Sequence, residues 1–134
     1  MTTRKLAAVA ALTLLAGIAK AACTYPPAPD KMPDGNTATK EEMLAAKQAV
    51  SKYNDDITAY QNCIKLETDD SIAELQKNAK TDEEKKAVET KKAEMDRKLV
   101  ERNNAALDEV TAVVEQFNEQ LRAYNKKNPP AAKK

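Results

Sequence analysis

The spacing of its apolar residues constrains this chain more than any other feature. After Thr39 they fall at Met43, Ala46, Val50, Tyr53, Ile57, Tyr60 and Ile64, in alternating steps of three and four. Three such heptads confine the apolar side chains to a narrow stripe, which a second helix lying along it satisfies. Beyond Ile64 the pattern moves to Thr68, Ile72, Leu75 and Ala79 with two successive steps of four, the mark of a stutter where supercoiling locally unwinds. Asp69, Asp70 and the box Ser71-Ile72-Ala73-Glu74 offer a competing start for a separate short helix. The favoured reading is one long helix, kinked at most near Thr68 to Ser71.

A second seam follows at Val88, Met95, Leu99, Asn103, Ala106, Val110, Val113, Phe117, Leu121 and Tyr124, unbroken by glycine or proline until Asn128-Pro129-Pro130. Each seam is preceded by a Thr-x-x-Glu capping box, Thr39 with Glu42 and Thr81 with Glu84, whose side chains satisfy free amides of a first helical turn. The predicted fold is all-α: a long antiparallel, coiled-coil-like helical hairpin over 39–79 and 82–126. A turn centred near Lys80 pairs Ile57 with Asn103, Tyr53 with Ala106, Val50 with Val110 and Met43 with Phe117, so that bulky residues tend to face small ones.

The chain ahead of the hairpin is of two kinds. Residues 1–21 have a basic start, an apolar run from Leu6 to Ala19 and then Lys20-Ala21, the layout of a secretory signal peptide cleaved after Ala21. That run is too short for the ~20 residues a membrane-spanning helix needs. The processed chain would carry 19 Lys and Arg against 21 Asp and Glu, a net charge of −2, and would be periplasmic or secreted. Cys23 raises a rival reading, a lipid-modified lipoprotein cysteine, but Lys20 stands where such signals carry an aliphatic residue. Residues 22–38 form an extended arm with Pro26, Pro27, Pro29, Pro33 and the turn signal Pro33-Asp34-Gly35-Asn36. The basic tail, 127–134, lacks core-forming residues and is predicted to be disordered.

Export puts Cys23 and Cys63 in an oxidising compartment, where they have one intramolecular pairing available. Two free thiols or an intermolecular bridge are the alternatives. Cys63 lies roughly 36 Å along the first helix, and an arm in polyproline form reaches about 50 Å. The bridge therefore requires the arm to double back along the helix, laying Tyr25, Pro27 and Met32 on the flank of the seam as a third layer.

The processed chain has no His or Trp, one glycine, two serines and one phenylalanine. It shows no glycine-rich phosphate loop, no nucleophile with a histidine base and no clustered metal ligands. No catalytic, cofactor-binding or metal residue is assigned, and the chain reads as non-enzymatic. Its carboxylates occupy outward positions beside Lys or Arg, as in Glu89 with Lys92 or Glu94 with Lys98, a solvated face. Tyr53, Tyr60 and Tyr124 read as packing residues, with a small-ligand strip as the weaker alternative. Asn103 is placed to fix register or is simply tolerated. Acids interspersed among Lys85-Lys86 and Lys91-Lys92 argue against nucleic acid, leaving the basic tail as the one part suited to a membrane surface. The expected activity is protein contact, chaperone-like or as an accessory of an envelope complex. Its surface would be the side of the seam that the arm leaves bare, around Val50, Ile57, Val110, Val113 and Phe117. The alternative is a self-assembling spacer whose seam closes in a homodimer.

Pro33-Asp34-Gly35, then Ala38-Thr39-Lys40-Glu41-Glu42-Met43, then Tyr53 and Tyr60-Gln61-Asn62-Cys63, resemble a group of small uncharacterised exported proteobacterial proteins. The shared features are a leading Cys, a Pro-rich stretch, a Glu-Glu-Met helix start and a Tyr-x-x-Cys, over about residues 23–66. The resemblance implies export and the cysteine pair, and no activity. Helical periplasmic chaperones of the Skp and Spy types are similar only in being charged, poor in His and helical, and the Leu-Thr-x-x-Gln motif of the Spy type is absent.

Overall fold

The computed structural model describes residues 22–129, so the signal peptide expected at 1–21 and the tail beyond Pro129 lie outside the described residues. Two helices make up the fold, α1 (Lys40–Asn78) and α2 (Asp82–Lys127), packed against each other as a hairpin. Both capping boxes form. The Thr39 hydroxyl accepts from the Glu42 amide at 3.2 Å while the Glu42 carboxylate accepts from the Thr39 amide at 2.7 Å. Thr81 and Glu84 repeat this at 3.2 and 2.8 Å. Glu84 also accepts from the Lys80 amide at 2.7 Å, and the Lys80 ammonium donates to the Lys77 carbonyl at 2.9 Å. One short turn thus satisfies free groups at the end of α1 and the start of α2, and does so without a left-handed residue.

Helix α1 is continuous through the stutter. Thr68, at a buried seam position, donates its hydroxyl to the Ile64 carbonyl at 2.8 Å, and Ser71 donates to Glu67 at 2.7 Å. Both hydroxyls are satisfied inside the helix, so the box at Ser71 has no need to open a new one. Helix α2 runs one residue further than expected. Lys127, assigned to the disordered tail, is helical, and its ammonium donates to the Asn36 carbonyl of the arm.

The core has two parts. Tyr53, Ile57, Tyr60, Ile64 and Ala106 form one cluster, with Leu99, Val110 and Val113 packed against it. Met43, Ala46, Val50 and Phe117 form the other, with Val113, Val114, Leu121 and Tyr124 around it. Tyr53 therefore shares a cluster with Ala106, and Met43 with Phe117, as a turn near Lys80 requires. Val50 joins the Phe117 cluster whereas Val110 packs on the Tyr53 one, so those two do not pair as expected. Ala106 is fully buried in the cluster that holds Tyr53 and Tyr60.

The arm is the third layer. Cys23 is bonded to Cys63, Tyr25 reaches Glu109, Gly35 reaches Gln120 and Asn36 meets Lys127. These contacts make the arm antiparallel to α1 and parallel to α2, seated on the groove between them. Tyr25 and Met32 pack as expected, but Pro27 is exposed while Pro26, Ala28 and Pro29 are half-buried. An extended segment turns alternate residues inward, and the face chosen includes Ala28, not Pro27. The arm ends at Cys23, so the hairpin beyond Leu66 is a bare two-helix coil. There α1 buries Thr68 and Ile72, α2 buries nothing, and Val88, Met95 and Leu99 stay half-exposed.

Candidate interaction site

The turn that starts the arm's return to α1 is held by Asp34. Its carbonyl accepts from the Thr37 and Ala38 amides at 3.0 and 2.8 Å, and its carboxylate from the Asn36 amide at 2.9 Å. Gly35 is buried against α2, where its amide donates to the Gln120 side chain at 2.9 Å. Its φ is not positive. Glycine is needed for proximity, because a Cβ there would lie 1.9 Å from the Gln120 carbonyl oxygen.

Between this turn and the disulfide, Tyr25 makes the arm's polar link to the hairpin. The Tyr25 hydroxyl donates to the Glu109 carboxylate at 2.6 Å, and its ring meets Tyr60 edge-on with centroids 4.9 Å apart. Arg102 lies 5.4 Å from the Tyr60 ring centre, donates to the Tyr60 hydroxyl at 3.0 Å, and approaches Glu67 across the hairpin at 3.8 Å. Desolvation, then the bond to Glu109, pushes the Tyr25 pKa up, so this hydroxyl stays a donor. Tyr53, 2% exposed, has its pKa raised by burial, and its hydroxyl faces Tyr25 and Glu109. The Asn103 side-chain oxygen is buried without a partner.

The disulfide joins the arm to α1 with a Cα separation of 5.8 Å. A sulfur in that bond is not free to carry a lipid thioether, so the oxidised chain is incompatible with the lipoprotein reading. Both cysteines are half-buried and line an open groove of about 580 Å³ with Ala59, Leu66, Glu67 and Asp70. Further openings between the arm and α1 measure about 440 Å³ beside Met32 and about 250 Å³ beside Pro27 and Pro29.

The residues expected to form a contact surface do not form one. Val50, Ile57 and Phe117 are buried in the core, and Val110 and Val113 are half-buried against it. Seam residues that face the other helix are consumed by the hairpin itself, and the arm closes one flank. Val113→Asp would thus strike both core clusters and report on folding. The tyrosines are also divided: Tyr53 and Tyr60 share one cluster, Tyr124 packs on the other, and Tyr25 of the arm completes the aromatic group. Arg102 and Glu109 were legible only as outward charges, although their seven-residue spacing puts them on one flank. Lys98 pairs with Glu94 at 2.7 Å, while Lys92 pairs with Asp96 at 2.7 Å instead of Glu89.

The exposed apolar surface lies elsewhere. Val100 and Leu107, one heptad apart on α2, are 55% and 52% exposed, and the same heptad position continues into half-buried Val114 and Leu121. At 3.6 residues per turn Leu107 lies roughly 160° around the helix from Glu109, away from the arm. Among the described residues no group of three or more His, Cys, Asp or Glu is placed to hold a metal ion, and no helix is long and apolar enough to cross a membrane. No known family model, curated protein or solved structure matches this chain.

Proposed function

We propose that this is a non-enzymatic exported protein, processed after Ala21 and periplasmic, that acts through protein contacts as a chaperone-like binder or an accessory of an envelope complex. The observation that carries the reading is the exposed pair Val100 and Leu107, on the flank of α2 away from the arm. Exposed apolar side chains at seam spacing suit an amphipathic helix or an unfolded segment of a partner. The disulfide and the resemblance of residues 23–66 to exported proteins support the compartment.

The test is suppression of aggregation of a reduced, unfolding model client, followed by light scattering. Val100→Glu with Leu107→Glu removes the pair at positions more than half exposed, so helicity by circular dichroism should persist. Loss of suppression in the folded double variant supports the reading, and suppression equal to the parent protein overturns it. The heptad spacing of the same pair also favours a second reading, a self-assembling spacer. In that case the parent chain is a concentration-dependent dimer that the same two substitutions convert to a monomer.

A further inference from the structure

The disulfide fixes one end of the arm, and the arm's direction fixes what lies past that end. Along α1 the arm runs backwards, with Met32 and Pro33 beside Ala45 and Ala46, Pro27 and Pro29 beside Ala49 and Tyr53, and Cys23 bonded to Cys63. Ala22 therefore continues toward Leu66, Glu67 and Asp70, the next turns on the same side of α1. Glu67 stands roughly 6 Å past Cys63 along the helix axis. In an extended chain the Ala22 nitrogen stands roughly 4–5 Å past the Cys23 Cα. The Cα atoms of the two cysteines are 5.8 Å apart, so a glutamate side chain spans what remains. The Thr24 hydroxyl donates to the Ala22 carbonyl at 3.4 Å, which ties this residue to the arm.

The space that Ala22 borders is the open groove of about 580 Å³. Cys23, Ala59, Cys63 and Leu66 give it an apolar floor, and among the described residues that line it Glu67 and Asp70 are charged, both acidic. From α2 the charge that faces them is Arg102, 3.8 Å from Glu67. Lys65 is paired with Asp69 elsewhere on α1. In the full chain Ala22 is joined to Ala21 through a neutral amide. Cleavage there adds water across that amide, leaving a carboxylate on Ala21, which departs with residues 1–21, and an ammonium on Ala22. The new charge appears one residue from a covalent tether, on the acidic edge of the groove.

We propose that this groove is the docking site of the chain's own processed N-terminus, with the Ala22 α-ammonium received by Glu67 and Asp70. Removal of residues 1–21 then completes the arm, and the exported chain presents no loose N-terminal end to an aminopeptidase. This rests on the reading of cleavage after Ala21 and is independent of the Val100 and Leu107 surface. The pair favours the charged amine, so the α-ammonium pKa is raised. Its contribution is complete below the ordinary value of about 7.7–8.0 and is lost as pH rises through the raised one.

The test uses the oxidised protein recovered after export. Intact mass reads the N-terminus, which should be Ala22. Reductive methylation with ¹³C-formaldehyde labels the amines, and the α-amine resonance is titrated by NMR. Its pKa should lie about half a unit or more above that of an unpaired terminus. Glu67→Gln with Asp70→Asn should return it to the ordinary value while helicity by circular dichroism persists. Aminopeptidase should release Ala22 at least fivefold faster from that double variant than from the parent. An ordinary pKa in the parent overturns the docking alone, as does a rise that survives the double substitution. Equal trimming of parent and variant also overturns it. A mass that begins at a residue other than Ala22 overturns the processing reading and the docking with it.

Discussion

Replacing Gly35 with alanine asks whether the arm is seated on α2 or only tethered to α1. The new Cβ would stand 1.9 Å from the Gln120 carbonyl oxygen, 2.8 Å from its carbon and 2.9 Å from the Tyr124 nitrogen. All three are backbone atoms of a helix and have no rotamer to escape into. The first contact is about 1.5 Å inside ordinary van der Waals distance, so the turn must lift away from the helix. Lifting breaks the 2.9 Å bond from the Gly35 amide to Gln120, a net loss of about 1 kcal/mol. The overpacking that remains costs about 1–3 kcal/mol. The expected total is roughly 2–4 kcal/mol. Because Gly35 does not have positive φ, none of this comes from backbone strain. Urea unfolding of the oxidised protein followed at 222 nm by circular dichroism reads the effect. With a slope of about 2 kcal/mol per molar, the midpoint falls by about 1–2 M. A midpoint within about 0.3 M of the parent would refute the argument, since it would mean that α2 does not bear on the turn.

Three further outcomes follow from the same packing. Ala106→Leu inserts a branched side chain at a fully buried position in the cluster of Tyr53 and Tyr60 and should destabilise by about 1–3 kcal/mol in the same assay; an unchanged midpoint would show that the site has room. Opening the 40-residue separation between Cys23 and Cys63 with Cys63→Ser should remove at most about 4 kcal/mol, the chain-entropy value for a loop of that size; a larger loss by urea titration would show that the bond does more than restrict the unfolded chain. Acid should weaken the hairpin. Bonds from Lys98, then Lys91, hold the Glu94 carboxyl down to about 2, and amides of the capping boxes hold Glu42 and Glu84 below their usual 4.5. A depressed carboxylate stabilises fully above its unfolded value and loses that contribution as pH falls through its folded one. Thermal midpoints should therefore fall between pH 4.5 and about 2 and stay flat from roughly 6 to 8, where a chain without histidine has no side chain to titrate. A midpoint that changes in the neutral range and not in acid contradicts this.

Some of the site was legible residue by residue and some was not. Tyr25 and Met32 were placed on the hairpin by reach alone, because a bridge to Cys63 leaves the arm one route back to Thr39. The contact surface around Val50, Ile57 and Phe117 was misplaced for a definable reason. A heptad seam announces that a face will be covered, and it carries no mark of whether the cover is the chain's own second helix or a partner. Val100 and Leu107 were passed over because they lie off the main seam, where isolated apolar residues are ordinary. Glu109 gained its contact to Tyr25 only from the arm's register, and Arg102 its contacts to Tyr60 from the register of α2 against α1, neither of which a local pattern encodes.

The helices and their caps were legible in the sequence because each depends on interactions within a few residues, while the pairing of the two cysteines was its favoured reading and the fold decided it over free thiols or an intermolecular bridge. Heptad spacing and two Thr-x-x-Glu boxes were enough for the helices, and α1 runs through the stutter with the Thr68 hydroxyl bonded to the Ile64 carbonyl. Tertiary structure alone decided which groove the arm fills, why position 35 is glycine, and where apolar surface remains open. Those outcomes depend on distances between segments far apart in the chain, such as Gly35 to Gln120 and Tyr25 to Glu109. They are set by how closely three layers can approach, and close packing appears only after the chain has folded.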